Sequence, residues 1–531
     1  MRRGELSETY DTAVVGSGFA GSLLAMILRR LGLSVVLIER GTHPRVVIGE
    51  SSTPLSNLLL EELAKRYDLP AVEPLAKWGS WQRAYPNIAV GLKRGFTFHH
   101  HVLGAGLAAA PDRENQLLVA ASPRDEIADT HWYRAEFDDL LVREARKLGV
   151  EYFDRVALRQ VEEYDDHFAL LGQRNGRDVE FRTRFIIDAT GPRGFLHHAL
   201  GLQELRFEDY PGTQALYSHF SDVGRLDTGA FSRTNADKPP YPIDDAAIHH
   251  VFDGGWIWVL RFNNGITSAG VAATNECASQ LRLAEGEPAW ERLLHQIPAL
   301  EEQFAQARAM RPFTHIPELP FRSARVTGPR WVLLPSAAGF VDPLLSTGFP
   351  LTLLGVARLA EAVERDWQKP EFAQRLEEYS RRTEAELIAT AGLVGALYAN
   401  MGNFAVFVAL SQLYFAAASF SEAARRLGKP HLASSFLLCE DPVFGAASRS
   451  LTERARQPLT RSESEILIRD IHSAIEPFNV AGLGRAERRN WYPVEVRDLF
   501  EGAAKLGATQ ADIETILQRC GFAAEHEPVS G

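Results

Sequence analysis

The stretch "DTAVVGSGFAGSLLAMILRRLGLSVVLIER", residues 11–40, decides the fold of this chain. It reads as a short apolar strand, a glycine-rich turn, an apolar helix and a second strand that ends at Glu39. The glycines of the turn fit the pattern G-x-G-x-x-G. Gly16 permits a tight turn, Gly18 lets the backbone approach a pyrophosphate, and Gly21 allows close packing of helix on strand. The stretch therefore predicts a dinucleotide-binding, Rossmann-like unit.

The ends of these elements predict how the dinucleotide is held. Ala20 lies in the glycine-rich turn, just before the predicted helix that begins at Ser22, and the free N–H groups of that helix face the phosphates. Glu39 follows the second strand and is expected to accept hydrogen bonds from the ribose hydroxyls.

Two later segments indicate which dinucleotide binds. "FIIDATGPRG" (185–194) is an apolar strand that runs into Asp188 and Gly191, and "WVLLPSAAGFVDPLLSTG" (331–348) repeats the arrangement around Asp342. Three such segments resemble FAD-binding enzymes of the aromatic-hydroxylase type, in which the third segment places a carboxylate, here Asp342, on the ribityl chain. Simple NAD dehydrogenases do not need the second and third segments.

Composition narrows the class of protein. The chain has 531 residues, 45% of them hydrophobic and 24% charged, and a net charge of -11, which argues against general nucleic-acid binding. Its three cysteines lie far apart in no metal-binding spacing, and no apolar signal core precedes the first strand. Consecutive histidines at 99–101 alternate faces of a strand and are poor chelators. We expect a cytoplasmic enzyme without a metal or nucleic-acid partner.

One segment raises the question of a membrane. Residues 404–420, "FAVFVALSQLYFAAASF", are strongly apolar, but Gln412 interrupts the run and a spanning helix needs roughly 20 apolar residues. Membrane insertion is therefore not expected. The segment is either half of a buried helical hairpin, or an apolar lid or interfacial surface that handles an apolar substrate.

The rest of the pattern gives a domain plan for an α/β protein. Residues 1–205 and 326–360 are expected to form a discontinuous FAD-binding core. Residues 206–325 hold strand-like pieces that predict an antiparallel sheet on the substrate side. Residues 361–531 read as a helical C-terminal region that covers the substrate site.

Several local motifs resemble the flavin-dependent halogenases, in particular the branch that acts on phenols and pyrroles and includes the aminopyrrolnitrin-type enzymes. "HPRVVIGESSTP" (43–54) is similar to the family's segment near the flavin and implies roles there for Glu50 and Ser51. "THWYRAEFDDLL" (130–141) implies that Arg134 approaches FAD. "AAGFVDPLLSTG" (337–348) resembles the loop against the isoalloxazine, whose backbone amides hold halide in the family; the matching positions are Ser346, Thr347 and Gly348.

The resemblance also implies a catalytic lysine away from the flavin. "VGLKRGFTFHHH" (90–101) matches the pattern K-x-G-x-x-F with Lys93 in the first position. The alternative is a solvated surface lysine, the usual fate of this residue. Burial near aromatic rings would lower the pKa of Lys93 and leave it able to hydrogen-bond or react. His99 and His101 remain candidate acid–base helpers in the same segment.

The implied chemistry separates two sites. A transient partner, a flavin reductase, supplies reduced FAD (FADH2), which with O2 and chloride or bromide yields hypohalous acid. Lys93 then holds this oxidant, as a hydrogen-bonded acid or as a haloamine, and delivers it to a small electron-rich aromatic substrate, free or tethered to a carrier protein. Tryptophan-specific members carry Glu where this chain has Leu345, which favours a phenol- or pyrrole-type ring.

The stretch "WIWVLRF" (256–262) matches the family's W-x-W-x-I-P signature in part. Alternation along a strand puts Trp256 and Trp258 on one face, where the family has a wall between flavin and substrate. Arg261 stands where the signature has proline, and it either binds an acidic substrate or carrier or points to solvent. Two alternatives to a halogenase stay open: a monooxygenase or oxidoreductase of the same fold without halide use, and a non-catalytic flavoprotein.

Overall fold

A computed structural model describes residues 9–105, 113–228 and 238–522. The first of two large sheets is the predicted Rossmann-like sheet, with eight strands. Its strands lie in the order Thr327–Gly328, Trp331–Leu333, Arg177–Asp188, Tyr10–Val15, Val35–Ile38 and Glu151–Phe153, and the hairpin Val156–Glu163 and Phe168–Arg174 pairs with Arg177–Asp188.

The central strands of this sheet are parallel and buried, as their unbroken apolar sequences require. The predicted turn and helix follow the first strand, and the helix spans Phe19–Arg30. Gly16 has a φ of +99°, which favours glycine, and a Cβ on Gly21 would lie 2.0 Å from the Gly16 carbonyl oxygen. Glycine is therefore required at both positions, as the pattern predicted: Gly16 for its backbone conformation and Gly21 for the close packing of helix on strand.

The second large sheet has nine strands and is mainly antiparallel. In order these are Arg308–Ala309, Thr213–Ser221, Thr267–Thr274, Gly255–Arg261, Ala247–Phe252, Gly95–His100, Gln116–Ala120 and Trp491–Tyr492, with Thr314–Ile316 also paired to Thr213–Ser221.

The second sheet differs from the domain plan, which confined it to residues 206–325. It takes Gly95–His100 and Gln116–Ala120 from the part assigned to the FAD-binding core, and Trp491–Tyr492 from the C-terminal region. Gly95–His100 pairs with Ala247–Phe252 in parallel, so the sheet is mixed. The strand Gly95–His100 joins this sheet because Phe96 and Phe98 are buried there, with their rings packed against the aromatic helix Phe404–Arg426.

Two small sheets and several short helices complete the first 350 residues. Val90–Lys93 pairs antiparallel with Asp129–Trp132, and Glu204–Leu205, Phe321–Ser323 and Gly339–Phe340 form a three-stranded sheet. The remaining helices here are Pro54–Arg66, Trp78–Ala84, Arg134–Lys147, Phe195–Ala199, Asn275–Leu281, Glu287–Leu294, Pro298–Phe304 and Pro335–Ala338.

The C-terminal region is helical, as predicted. Its helices are Gly348–Asp366, Glu371–Ala399, Phe404–Arg426, Phe444–Ala455, Arg461–Ile475, Val496–Glu501 and Gln510–Arg519. Within the described residues, Phe404–Arg426 is the one helix whose length and hydropathy suit a membrane span, but 83% of its apolar window is buried inside the protein. This burial is typical of a core helix in a soluble protein and agrees with the buried hairpin.

Candidate active site

A large cavity of about 530 Å³, here called the first cavity, lies where the glycine turn, the first sheet and the second sheet meet. Segments far apart in sequence contribute to its walls. Twelve of the predicted site residues line it: Gly18, Ala20, Glu50, Ser51, Arg134, Gly191, Trp256, Trp258, Asp342, Ser346, Thr347 and Gly348. The structure therefore brings most of the predicted site together, while Gly16, Gly21, Glu39, Asp188 and Lys93 lie outside its walls.

Arg134 is fixed in this cavity at the start of its helix. Its guanidinium donates two hydrogen bonds of 2.8 Å to the Asp138 carboxylate, one turn further along, and a third of 3.0 Å to the Gly49 carbonyl. A bidentate Arg–carboxylate pair of this kind fixes the orientation of the guanidinium. Arg134 therefore presents a permanent positive charge beside the glycine turn.

Glu39 supports the glycine turn from behind. Its carboxylate accepts hydrogen bonds from the Ser17 amide at 3.1 Å and from the Gly41 amide at 2.8 Å. Arg45, which lines the first cavity, donates to the same carboxylate at 3.3 Å. Burial would raise the pKa of Glu39, but Arg45 and the two amides outweigh it and hold the pKa below its usual range. The carboxylate is thus ionised at the edge of the cavity.

Asp188, predicted as a cofactor contact, does not line the first cavity. One of its carboxylate oxygens accepts from the Thr190 amide at 2.8 Å, and the other accepts from the Leu196 amide at 2.6 Å. The side chain is fully buried and shapes the turn whose next residues line the cavity. Asp188 positions the loop because both of its oxygens are used within the protein.

Asp342 lines the first cavity, but its carboxylate is also held by the protein. Oδ2 accepts hydrogen bonds from the Tyr210 hydroxyl at 2.8 Å and the Tyr398 hydroxyl at 2.9 Å, and Oδ1 accepts from the Leu344 amide at 2.9 Å. Burial raises the pKa of Asp342 to about 6, while these hydrogen bonds limit the rise. No local sequence signal identifies the two tyrosines as partners, since they lie far from Asp342 along the chain.

The predicted halide loop needs one correction. The Ser346 amide already donates to the Pro343 carbonyl at 3.1 Å, and Ser346 has a φ of +55°, so this N–H is turned into the loop. Thr347 and Gly348 lie at the start of helix Gly348–Asp366, where the first N–H groups have no acceptor in a preceding helical turn. Thr347 and Gly348 therefore remain the anion-binding candidates of the predicted three.

Trp256 and Trp258 lie on the same strand face, as the alternation predicts, and both line the first cavity. Their rings are 5.7 Å apart and inclined at 50°. The Trp256 indole N–H donates to the Tyr398 hydroxyl at 3.1 Å, and that of Trp258 donates to the Ser268 hydroxyl at 3.3 Å. These bonds lock the two indoles as a rigid wall.

Arg261 faces away from this wall. It lies on the opposite face of the strand, where its Nε donates to Asp244 at 3.0 Å and its guanidinium also donates to the carbonyls of Val223 and Gly224. Both earlier alternatives for Arg261, an acidic ligand and a solvent-facing side chain, are therefore wrong. Arg261 does not line the first cavity and forms an internal ion pair with Asp244.

Lys93 is fully buried, so the alternative of a solvated surface lysine is wrong. Its Nζ donates to the Ser51 hydroxyl at 2.9 Å and to the Ser52 carbonyl at 2.5 Å, and lies 3.8 Å from the centre of the Phe96 ring. Burial lowers the pKa of Lys93 to about 7, against the opposing attraction of Asp129. The group is thus poised to change protonation near neutrality.

A second cavity, of about 210 Å³, is lined in part by Phe96, whose ring lies 3.8 Å from the Lys93 Nζ. Its walls also include Tyr414, Phe415 and several residues of the C-terminal segment 480–522. Lys93 lines neither cavity, but it contacts Ser51 on the wall of the first and Phe96 on the wall of the second.

The histidine-rich strand serves as packing. Burial lowers the pKa of His99 to about 3 and that of His101 to about 4, so both are neutral at physiological pH. His101 Nε2 contacts His250 Nδ1 at 2.9 Å. In the described ranges no group of three or more potential ligand side chains is arranged to hold a metal ion.

A glycine turn with a fixed arginine, beside a ligand-sized cavity walled by two indoles, is the geometry of a dinucleotide-cofactor site. The family model for tryptophan halogenases matches residues 126–401, and a model for NAD(P)-binding Rossmann-like domains matches residues 14–52. The chain therefore belongs to the tryptophan halogenase family, the flavin-dependent halogenases.

Curated relatives and solved structures agree with this assignment. Monodechloroaminopyrrolnitrin halogenase PrnC of Pseudomonas fluorescens is 27% identical over 77% of this chain and 71% of its own length. Tetracycline 7-halogenase of Kitasatospora aureofaciens is 27% identical over 71% of this chain and 68% of its own. The structure of halogenase PltM with phloroglucinol and FAD superposes with a TM-score of 0.77 at 25% identity, covering 90% of this chain and 99% of PltM.

The residues present fit FAD. The first cavity has the volume of a small-molecule site, and glycine at 18 and at 348 keeps side chains out of it. Among the described residues, no atom lies within 4 Å of the position that a Cβ on Gly348 would take. Arg134 and Arg45 add positive charge beside the turn. FAD is the cofactor of this halogenase, and halide is its second requirement.

Proposed function

We propose that this enzyme halogenates an electron-rich phenol- or pyrrole-type ring in the second cavity, with Lys93 as the catalytic residue. The single observation that carries the proposal is the position of buried Lys93, bonded to Ser51 on the wall of the first cavity and in contact with Phe96 on the wall of the second. Two relatives support the substrate class: a 1H-pyrrole-2-carbonyl-[peptidyl-carrier protein] chlorinase is 27% identical, and PltM has been crystallised with phloroglucinol.

Each part of the chain has one task in this scheme. Bound reduced FAD, with O2 and halide, supplies hypohalous acid in the first cavity. The amides of Thr347 and Gly348 hold the halide, because N–H groups at a helix start attract anions. Trp256 and Trp258 keep the organic ring away from the flavin. Lys93 then presents the oxidant to the ring, which packs against Phe96 and Phe415 in the second cavity.

The proposal also includes the partners of the enzyme and its location. A transient flavin reductase supplies reduced FAD, and the enzyme works in the cytoplasm. The substrate is a small aromatic molecule that arrives free or bound to a carrier protein, as the name of the pyrrole chlorinase says for that relative.

The experiment supplies chemically reduced FAD, O2, bromide and an electron-rich phenol, and separates the products by mass spectrometry. Wild-type enzyme is expected to give brominated phenol, and Lys93→Met to lose at least about 100-fold of this rate, a loss typical of a group that acts in the transition state. A soluble scavenger should still capture hypobromous acid from Lys93→Met.

Lys65→Met is the matched control, because Lys65 is a surface lysine paired with Glu61. It should halogenate at the wild-type rate. Hydroxylated phenol as the main wild-type product would contradict the proposal and favour a monooxygenase. Unchanged bromination by Lys93→Met would reject Lys93 as the delivering residue.

A further inference from the structure

The surroundings of Lys93 select one of its two protonation states. A lysine ammonium has three N–H donors and no acceptor. Two donors reach the oxygens of Ser51 and Ser52, and the nitrogen lies above the face of Phe96 at a distance suited to a cation–π contact. Both protonation states can donate the two hydrogen bonds, but the oxygen acceptors and the aromatic face bind an ammonium more strongly than a neutral amine.

A buried carboxylate lies across the strand pair from this charge. Lys93 and Asp129 are direct partners in the antiparallel pairing of Val90–Lys93 with Asp129–Trp132, so their side chains share one face. Asp129 Oδ1 accepts a hydrogen bond of 2.9 Å from Asn57. Its Oδ2 is buried, and the described part of the chain offers it no hydrogen bond. An ionised carboxylate in this position needs a nearby cation, and Lys93 is directly opposite.

We propose that Lys93 acts as an ammonium group and that Asp129 is the positioning residue that keeps it protonated. This inference rests on the proposed function and deepens it, because it chooses the hydrogen-bonded acid over the haloamine as the form in which Lys93 holds the oxidant. Burial alone would remove the proton from Lys93 near neutrality. The carboxylate of Asp129 counteracts this burial, and the pair holds one proton between them.

In this form Lys93 assists the transfer of the halogen from hypohalous acid to the ring as an acid. The free N–H of Lys93 donates to the oxygen of hypohalous acid while the ring carbon attacks the halogen. The oxygen–halogen bond breaks, the carbon–halogen bond forms, and the proton of Lys93 moves to the departing oxygen to give water. The ring hydrogen leaves as a proton and restores the ammonium. Substrate and hypohalous acid become halogenated product and water, with no further oxidant.

The other titratable groups around the pair do not replace Asp129. His131 and His249 lie close to Lys93, and burial and the charge of Lys93 lower the pKa of both. On helix Phe404–Arg426, burial raises the pKa of Tyr414, and Glu422 and Arg426 pair with each other at 2.8 Å. That pair acts on Asp129, where Glu422 raises the pKa and Arg426 lowers it. Asp129 is the charged group whose attraction opposes the effect of burial on the pKa of Lys93.

The decisive variant is Asp129→Asn, which removes the charge and keeps an oxygen for the Asn57 hydrogen bond. Without the carboxylate, burial lowers the pKa of Lys93 below about 7, so the charged fraction of Lys93 at pH 7.5 falls further. The rate of bromination is expected to fall about tenfold at this pH and to recover on acidification. The alkaline limb of the pH–rate profile should shift to lower pH by about one unit or more. Asp129→Glu should keep the limb near its wild-type position.

Two further measurements keep the test decisive. FAD binding and hypobromous acid captured by a scavenger should match wild type in Asp129→Asn, since neither requires Lys93 to be charged. Should Asp129→Asn fail to bind FAD, Asn57→Leu takes its place: it removes the hydrogen bond that favours the ionised carboxylate and should move the limb in the same direction by less.

The inference is overturned if Asp129→Asn brominates at the wild-type rate with an unmoved limb, or if it is faster than wild type at neutral pH, as a haloamine at a neutral Lys93 would require. Both results leave wild-type bromination intact. They therefore differ from failure of the proposed function, in which the wild-type enzyme gives no brominated product.

Discussion

Arg261 and Asp244 form an ion pair on the strand face opposite the two indoles, with 3.0 Å between Nε and Oδ1. The Asp244 side chain is fully buried, and that of Arg261 is 18% exposed. Arg261 also bonds two backbone carbonyls. The residue that breaks the family's tryptophan signature is therefore part of the internal packing and does not line the first cavity.

Arg261→Met should destabilise the protein without changing its chemistry. The substitution leaves the Asp244 carboxylate buried without its cation, which costs about 3 kcal/mol in the free energy of unfolding. Urea unfolding measures the loss, and bromination per folded enzyme should stay at the wild-type value. The double variant Arg261→Met/Asp244→Asn should recover part of the stability, because no unpaired charge remains. Equal losses in the single and double variants would contradict this account.

Asp342 should make the FAD-free protein pH-sensitive. Its pKa rises from 3.8 to about 6 on folding, so its contribution to stability is full below about pH 4 and is lost as the pH rises through 6. Asp342→Asn does not titrate. Its free energy of unfolding relative to wild type should therefore increase by about 2 kcal/mol between pH 4 and pH 7. Chemical denaturation across this range checks the difference, and parallel curves for the two proteins would refute it.

Substitutions at two glycines should distinguish an effect on folding from an effect on the cofactor site. Gly21→Ala is expected to abolish FAD binding and lower stability, because its Cβ would meet the Gly16 carbonyl at 2.0 Å. Gly348→Ala should fold with unchanged or slightly raised stability, since its Cβ meets no described atom within 4 Å. That methyl group enters the first cavity, so bromination should fall about tenfold. Thermal unfolding of the FAD-free proteins and flavin titration distinguish the two effects.

Filling the second cavity should impair use of the phenol without reducing formation of the oxidant. Ala418 lines this cavity on helix Phe404–Arg426, and Ala418→Phe fills part of the space that the ring occupies. The KM for the phenol should rise or turnover should stop, while hypobromous acid trapped by a scavenger is unchanged. Ala405→Phe, at an exposed position of the same helix, is the control and should behave as wild type. A loss of trapped oxidant in Ala418→Phe would contradict the division between the cavities.

Features that depend on neighbours in sequence were predictable. The glycine turn, the strand ending at Glu39 and the shared face of Trp256 and Trp258 follow from spacing, because strand and turn geometry repeat over a few residues. The burial of Lys93 agrees with what the motif around it implied.

Features that depend on distant segments were not predictable from one sequence. Asp129 lies opposite Lys93 only because two short strands pair, and the stretch "ADTHW" carries no sign of that partner. The same holds for Tyr398 and Asp342, which meet through tertiary packing. Asp188 and Ser346 were expected to contact ligands, but local hydrogen bonds to nearby backbone groups use the Asp188 carboxylate and the Ser346 amide.

The short strand Trp491–Tyr492 fastens the C-terminal segment to the edge of the second sheet. All residues that line the first cavity precede residue 388, whereas the second cavity takes walls from the segment 480–522. The C-terminal segment therefore shapes the second cavity without contributing to the walls of the first. Substitutions in the segment 480–522 can change the lining of the second cavity while the lining of the first stays as it is.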